Sequence, residues 1–169
     1  VWYMPSKTPP HKKDHRITSS KDRCAMVSAA IEEIPYFCLS DFEIKRTAGY
    51  TYTADTLRLL REEYQDTEFY FIVGADSIHD IEKWYHPEYV LQAVTFLAAD
   101  RESEEQKRSL DTQIRYLEQK YGAKIRRLHC MEMDVASAVI RERIASGEPV
   151  KGMIPDAVYR YIKQHGLYC

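Results

Sequence analysis

The sequence predicts an α/β fold with a doubly wound, mostly parallel sheet of Rossmann-like type. Five short apolar runs with strand character alternate with amphipathic stretches of helical period. Helical stretches separate these runs, which is the connection parallel neighbours need. Glu68–Val73 and Val94–Ala98 are nearly continuous in apolar residues, as strands covered on both faces are.

Val1–Met4 is an aromatic-rich run with strand character that breaks at Pro5. A helix is expected over Ser20–Ile34, with Ser19 or Ser20 as N-cap, Asp22 in its first turn, and Cys24, Val27, Ile31 and Ile34 at helical spacing. Pro35 is expected to end it. Tyr36–Ile44 contains the second strand, and Thr53–Tyr64 is a helix with Leu57, Leu60 and Tyr64 on one face. Glu68–Val73 is the third strand and stops at Gly74. Short helical pieces over Ser77–Lys83 and Pro87–Gln92 lead to the fourth strand, Val94–Ala98. Glu102–Tyr121 is so heavily charged that it reads as a solvated surface helix. Gly122 ends it, and Lys124–Leu128 is the last strand. Ser137–Ala145 and Pro155–His165 are helices with Gly147 and Gly166 as C′ residues and Pro155 near the first position of the second.

The chain has 169 residues, 44% of them apolar and 30% charged, which is ordinary for a globular domain able to bury a core. A net charge of −2 gives no global attraction to nucleic acid or anionic membrane, so an anion site has to be local. No apolar run approaches the roughly 18 residues of a membrane span, and the expected location is cytoplasmic. Cys24, Cys38, Cys130 and Cys169 are too dispersed for a zinc or disulfide framework and read as reduced thiols. With only six glycines there is neither a Walker loop nor a Gly-x-Gly-x-x-Gly motif.

In doubly wound sheets the ligand lies beyond the carboxyl ends of the strands. The first such end carries Pro9-Pro10-His11-Lys12, in which Lys12 suits a phosphate. The second leads through Arg46 and Gly49 to Thr51, Tyr52, Thr53 and Thr56 at a helix start, where free N–H groups and the helix dipole favour an anion. Capping by Thr51 or Thr53 is the plainer alternative. At the third, Gly74 permits close backbone approach, and Asp76 can accept hydrogen bonds from ribose or base, or serve only as an N-cap. Trp84 and Tyr85 beyond it either line a crevice and stack on a planar ring or belong to the core. The last end opens a helix with Ser137, and Arg141 lies about one turn inside, an arrangement suited to holding phosphate.

In order and spacing these residues resemble the bacterial nicotinate-nucleotide adenylyltransferases of the nucleotidyltransferase α/β superfamily, essentially from Val1 to Tyr168. The resemblance rests on Val1–Pro5 with Pro9-Pro10-His11-Lys12; on Arg23 and Met26; on Asp41, Glu43 and Arg46; and on Thr51-Tyr52-Thr53 with Thr56 and Leu57. Phe71–Asp76, Trp84-Tyr85, Tyr161-Ile162 and Gly166-Leu167-Tyr168 complete it. It implies one nucleotidyltransferase domain over 1–169 that transfers AMP from ATP to nicotinate mononucleotide, giving deamido-NAD and pyrophosphate in NAD biosynthesis. The mononucleotide phosphate attacks directly, with Mg²⁺ held mainly by ATP phosphates and water, so catalysis is positioning and charge neutralisation. Thr51, Tyr52 and Thr53 would meet the nicotinate carboxylate, and Trp84 with Tyr85 the pyridine ring. Gly74 and Asp76 would lie on the adenosine side, and Lys12, Ser137 and Arg141 would address phosphates. No nucleic acid or membrane partner is implied, and a homo-oligomer is compatible with the pattern.

Two departures stand out. The family's His-x-Gly-His segment is absent, the histidines standing at 11, 15, 79, 86, 129 and 165, so no catalytic residue and no protein metal ligand is assigned. In family terms Val1 corresponds to the second strand, and the expectation is a domain incomplete at its N-terminus, lacking the first strand. The family's Ile-Ser-Ser-Thr-x-Ile-Arg reads Val135-Ala136-Ser137-Ala138-Val139-Ile140-Arg141. Each lost hydroxyl removes a phosphate hydrogen bond of about 1–3 kcal/mol. A non-catalytic nucleotide-binding protein, or an enzyme using nicotinamide mononucleotide, are the alternatives these departures leave.

Overall fold

The computed structural model describes residues 1–8, 18–46, 51–99, 104–129 and 135–169. The chain forms two compact units, Val1–Thr51 with Asp134–Cys169, and Tyr52–Met133.

The second unit is built on three parallel strands in the order β3-β4-β5: β3 (Tyr70–Gly74), β4 (Thr95–Ala99) and β5 (Lys124–Leu128). Register runs from Tyr70↔Thr95 to Gly74↔Ala99, and from Thr95↔Lys124 to Ala99↔Leu128. Around this sheet lie α2 (Thr53–Glu63), α3 (Ala75–Asp80), a 3₁₀ turn (Ile81–Lys83), α4 (Pro87–Ala93) and α5 (Glu104–Tyr121). Phe96 and Ala98 of the central strand are fully buried, as are Ile78, Ile81, Val90, Leu91, Leu110 and Leu117 of the flanking helices and turn. Each large side chain so buried contributes about 1.5–3 kcal/mol.

Two expectations change here. The stretch read as a solvated helix carries an apolar stripe, Leu110, Ile114 and Leu117, packed inward. Spacings of four and three residues place these on one face, and the charges fill the rest of the surface. The run at β3, expected to be covered on both faces, is covered on one. Val73 is buried, but Tyr70 and Ile72 on the alternate face are 46% and 49% exposed.

The first unit contains a two-stranded parallel sheet, β1 (Trp2–Tyr3) and β2 (Cys38–Leu39), with Trp2↔Cys38 and Tyr3↔Leu39 in register. All five expected strands are thus present, and every pairing among the described residues is parallel, β1 with β2 and β4 with β3 and β5. Ile144, Val150, Val158 and Ile162 form this unit's core, with Met26, Ala29, Ala30 and Ile140 packed against it. These come from α1 (Ser20–Ile31), α6 (Ser137–Ala145), α7 (Asp156–Gln164) and the segment joining the last two. Ser19 caps α1, its Oγ accepting from the Asp22 N–H at 3.1 Å. The helix stops at Ile31, before the expected Ile34, the residue that Pro35 disfavours in the helical region. Turns from Ile34 N–H to Ile31 C=O and from Phe37 N–H to Ile34 C=O carry the chain into β2. Pro155 is the N-cap of α7, one place before the helix proper. Gly147 and Gly166 follow their helices at φ +73° and +57°, the left-handed C′ geometry expected of them.

No helix among the described residues is long and apolar enough to cross a membrane.

Candidate active site

In the second unit, two elements bring aromatic groups to the start of α2. Tyr52 is the N-cap, and no side chain caps the helix. The alternative of capping by Thr51 or Thr53 does not hold: Tyr52 is the N-cap and Thr53 the first helical residue, and the buried Thr56 hydroxyl donates to the Tyr52 carbonyl at 3.2 Å. The start of an α-helix carries N–H groups and a dipole that favour an anion. The Tyr52 ring lies against Tyr85, centroids 4.5 Å apart and planes tilted by 33°. Neighbouring Trp84 is half-buried, its edge on Phe71 at 6.3 Å, and Phe71 in turn packs on Phe96 at 5.7 Å. Trp84 thus packs on the core while keeping part of its surface open.

At the carboxyl end of β3, Gly74 is the N-cap of α3 and Asp76 stands in its first turn, so Asp76 is not the cap. A Cβ on Gly74 would come within 3.2 Å of Asp76 Oδ1. A side chain there would press on the carboxylate by a few tenths of an ångström.

In the first unit, Thr51 is buried and tied to the loop after β1. The Thr8 N–H donates to its hydroxyl, and the Thr51 N–H donates to the Thr8 carbonyl, both at 3.0 Å. The Lys7 ammonium donates to the Arg46 carbonyl. Arg23, to which the residue pattern gave no role, donates through Nε to Thr18 C=O at 3.1 Å and through Nη2 to Ser20 Oγ at 3.1 Å. The Tyr161 hydroxyl donates to Asp22 Oδ1 at 2.9 Å, and the Thr18 hydroxyl to that of Tyr168 at 3.0 Å. The Ser19 hydroxyl bond and then that of Tyr161 hold the Asp22 carboxyl below its usual range. The first turn of α6 begins after Ala136 without a side-chain cap, and Ser137 and Arg141 are both exposed there.

Of the expected site residues, Thr51, Ser137 and Arg141 belong to the first unit; Tyr52, Thr53, Gly74, Asp76, Trp84 and Tyr85 belong to the second. Lys12 lies outside the described residues. Among those described, no group of three or more His, Cys, Asp or Glu side chains is placed to hold a metal.

A cytidylyltransferase-like family model matches residues 1–146. The probable nicotinate-nucleotide adenylyltransferase of Lachnoclostridium phytofermentans is 40% identical over 168 residues, covering 99% of this chain and 83% of the relative. That of Bacillus pumilus is 37% identical, with 99% and 82% covered. Among solved structures, Plasmodium falciparum nicotinic acid mononucleotide adenylyltransferase complexed with NaAD superposes with a TM-score of 0.77 at 19% identity, over 99% of this chain and 81% of that one. The same protein complexed with APC gives 0.75 at 18%. At such identities these structures speak to the fold: parallel strands flanked by helices.

Proposed function

Since this chain belongs to the cytidylyltransferase-like family, and within it to the nicotinate-nucleotide adenylyltransferases, we propose that it transfers AMP from ATP to nicotinate mononucleotide. An oxygen of the mononucleotide phosphate attacks the α-phosphorus of ATP in line. The new P–O bond forms as the bond to the β-phosphate bridging oxygen breaks, and deamido-NAD and pyrophosphate leave. Reactants of this kind need alignment and charge neutralisation more than covalent help.

The observation that carries the acceptor is the start of α2, which has no side-chain cap and lies beside an aromatic pair. A carboxylate is favoured at the helix N–H groups, and a flat heteroaromatic ring matches the free part of Trp84 and Tyr85. Tyr52 and Thr53 orient that end, with Thr51 just before it. Gly74 and Asp76 serve the adenosine side, the backbone approaching closely and the carboxylate accepting from hydroxyls. Ser137, Arg141 and the first turn of α6 address phosphate, as does Lys12. Mg²⁺ would be held mainly by ATP phosphates and water rather than by a protein cage. When bound, the ion neutralises charge on the triphosphate. A reduced, cytoplasmic setting suits Cys24, Cys38 and Cys169, all free thiols.

Purified protein supplied with ATP, Mg²⁺ and nicotinate mononucleotide should release pyrophosphate and form deamido-NAD. Nicotinamide mononucleotide, which lacks the carboxylate, should be the poorer acceptor. No pyrophosphate with either acceptor would overturn the reading, and equal use of both would overturn the assignment to α2.

A further inference from the structure

Trp84 and Tyr85 sit on a narrow bridge. The 3₁₀ turn before them closes with the Trp84 N–H donating to Ile81 C=O at 3.0 Å. The chain is extended at Trp84, and His86 takes a left-handed φ of 50° before Pro87 opens α4. Ile78 and Ile81 pin the inner side of this segment in the core. Its outer side is tied elsewhere. Glu82 Oε1 accepts from Lys120 Nζ at 2.8 Å, from the Tyr121 hydroxyl at 2.8 Å and from the Tyr116 hydroxyl at 3.2 Å. Lys120 Nζ also donates to the Tyr116 hydroxyl at 2.6 Å and lies 5.1 and 5.0 Å from the Tyr116 and Tyr121 ring centroids. By contrast, the nearby Lys83–Asp80 pair is local and reaches no other element.

Three donors from the last turns of α5 thus converge on one carboxylate oxygen two residues before Trp84. Lys120 and the tyrosine hydroxyls hold the Glu82 carboxyl below its ordinary value and the Lys120 ammonium above its own, so both are charged across the neutral range. Exposed ion pairs add little to global stability. What this one does is geometric, fixing the solvent side of a turn whose other side is fixed by packing. We propose that Glu82, anchored by Lys120, Tyr116 and Tyr121 of α5, is a positioning residue that sets the placement of Trp84 and Tyr85. Its effect on catalysis rests on the reading above, in which those two rings hold the mononucleotide.

The test uses Glu82→Ala, Glu82→Gln and Lys120→Met, assayed with ATP and nicotinate mononucleotide. The same changes are also made with Trp2→Phe, which leaves Trp84 as the sole tryptophan of two. Glu82→Ala should raise KM for the mononucleotide about threefold to tenfold, with KM for ATP and kcat changed less than about twofold, as loss of positioning rather than of chemistry predicts. Trp84 fluorescence anisotropy should fall in parallel. Glu82→Gln, whose amide oxygen still accepts from both tyrosines, should recover much of each, and Lys120→Met should fall between. Unchanged KM with unchanged anisotropy overturns the proposal. So does an equal rise in both KM values with a lowered Tm, which marks general loosening. If the parent protein turns over no mononucleotide, the functional reading fails and anisotropy alone decides the anchor: a fall in Glu82→Ala sustains it, and no change overturns it.

Discussion

Around β3–β5 the largest core side chains, Phe96, Ile78, Ile81, Leu91 and Leu117, are all below 2% exposed, while Val73, Ile114 and Ile125 keep 7–8%. Around α1, α6 and α7 the core residues Ile144, Val150, Val158 and Ile162 each keep between 3% and 8% of their surface. The second of these regions compensates with polar ties: Ser19 and Tyr161 on Asp22, Thr18 on Tyr168, Thr8 on Thr51 and Arg23 on the backbone. Net hydrogen bonds contribute about 0.5–1.5 kcal/mol each, less than burial of a large side chain. One unit packs its largest side chains out of solvent and carries Trp84 and the Tyr52–Tyr85 pair, with its own polar ties at Glu82. The other adds side-chain hydrogen bonds around α1 to its apolar core, and Ser137 and Arg141, proposed above to bind phosphate, are exposed on it.

Equivalent truncations in the two cores give the largest contrast. Leu117→Ala, at a fully buried site, should cost in the upper half of about 2–5 kcal/mol, and Ile162→Ala in the lower half, because a site that already touches water collapses or hydrates more easily. Urea midpoints at constant slope measure both. Equal costs would erase the distinction between the units.

Next in size is Arg141. Its guanidinium is exposed and its role is proposed to be in phosphate binding, so Arg141→Ala should leave the urea midpoint unchanged and lower kcat/KM about tenfold to a hundredfold, the equivalent of about 1.5–3 kcal/mol for a charge-assisted bond. Arg141→Lys should recover only part, since an ammonium cannot reproduce the planar fork. A lowered midpoint with intact kcat/KM would make Arg141 a structural residue.

The contrast also separates what was readable in the sequence from what was not. The strands at Tyr70–Gly74 and Thr95–Ala99 were readable because an apolar run between breakers has few other uses. The glycine stops at 147 and 166 were readable because a left-handed C′ position selects glycine. The inward face of α5 was hidden by the charges around Leu110, Ile114 and Leu117, although their spacing was the available signal. That β3 keeps one face exposed is a tertiary fact, invisible in a run that is apolar on both faces. Residue types marked Trp84 and Tyr52 as site candidates, but their setting depends on contacts with Phe71 and Tyr85 that no local pattern encodes. Glu82 gave no signal of its own. Its partners are 34 to 39 residues away, and only the spacing of Tyr116 and Lys120 by one helical turn hinted at a shared face.

A smaller effect asks whether the two units unfold together. Gly147 and Gly122 both end helices at positive φ, +73° and +66°, and a Cβ at either would touch nothing within 4 Å. Alanine at either position therefore costs conformational strain alone, about 1–2 kcal/mol. One cooperative transition requires the two variants to lower the same midpoint by similar amounts. Separate transitions, each moved by only one variant, would show that packing and polar ties stabilise their units independently.

The smallest effect distinguishes two carboxylates that tyrosines hold in similar ways. Asp22 is lowered from 3.8 chiefly by the Ser19 and Tyr161 hydroxyls, and Glu82 is lowered from 4.5 chiefly by Lys120. A folded-state value below the unfolded one means that the unfolded chain binds more protons in that window. Each group's contribution is therefore present above its ordinary value and is lost as the pH falls through its lowered one. Asp22→Asn and Glu82→Gln should each flatten the acid limb of the urea midpoint against pH slightly, since both groups meet solvent. Salt tells them apart. The first partner of Glu82 is a cation, which added electrolyte screens, whereas those of Asp22 are neutral hydroxyls in direct contact. Raising ionic strength should shrink the difference between Glu82→Gln and its parent on the acid limb and leave that for Asp22→Asn nearly unchanged. Equal salt sensitivity would mean that Lys120 is not what holds Glu82, and the anchor on α5 would then reduce to its two tyrosines.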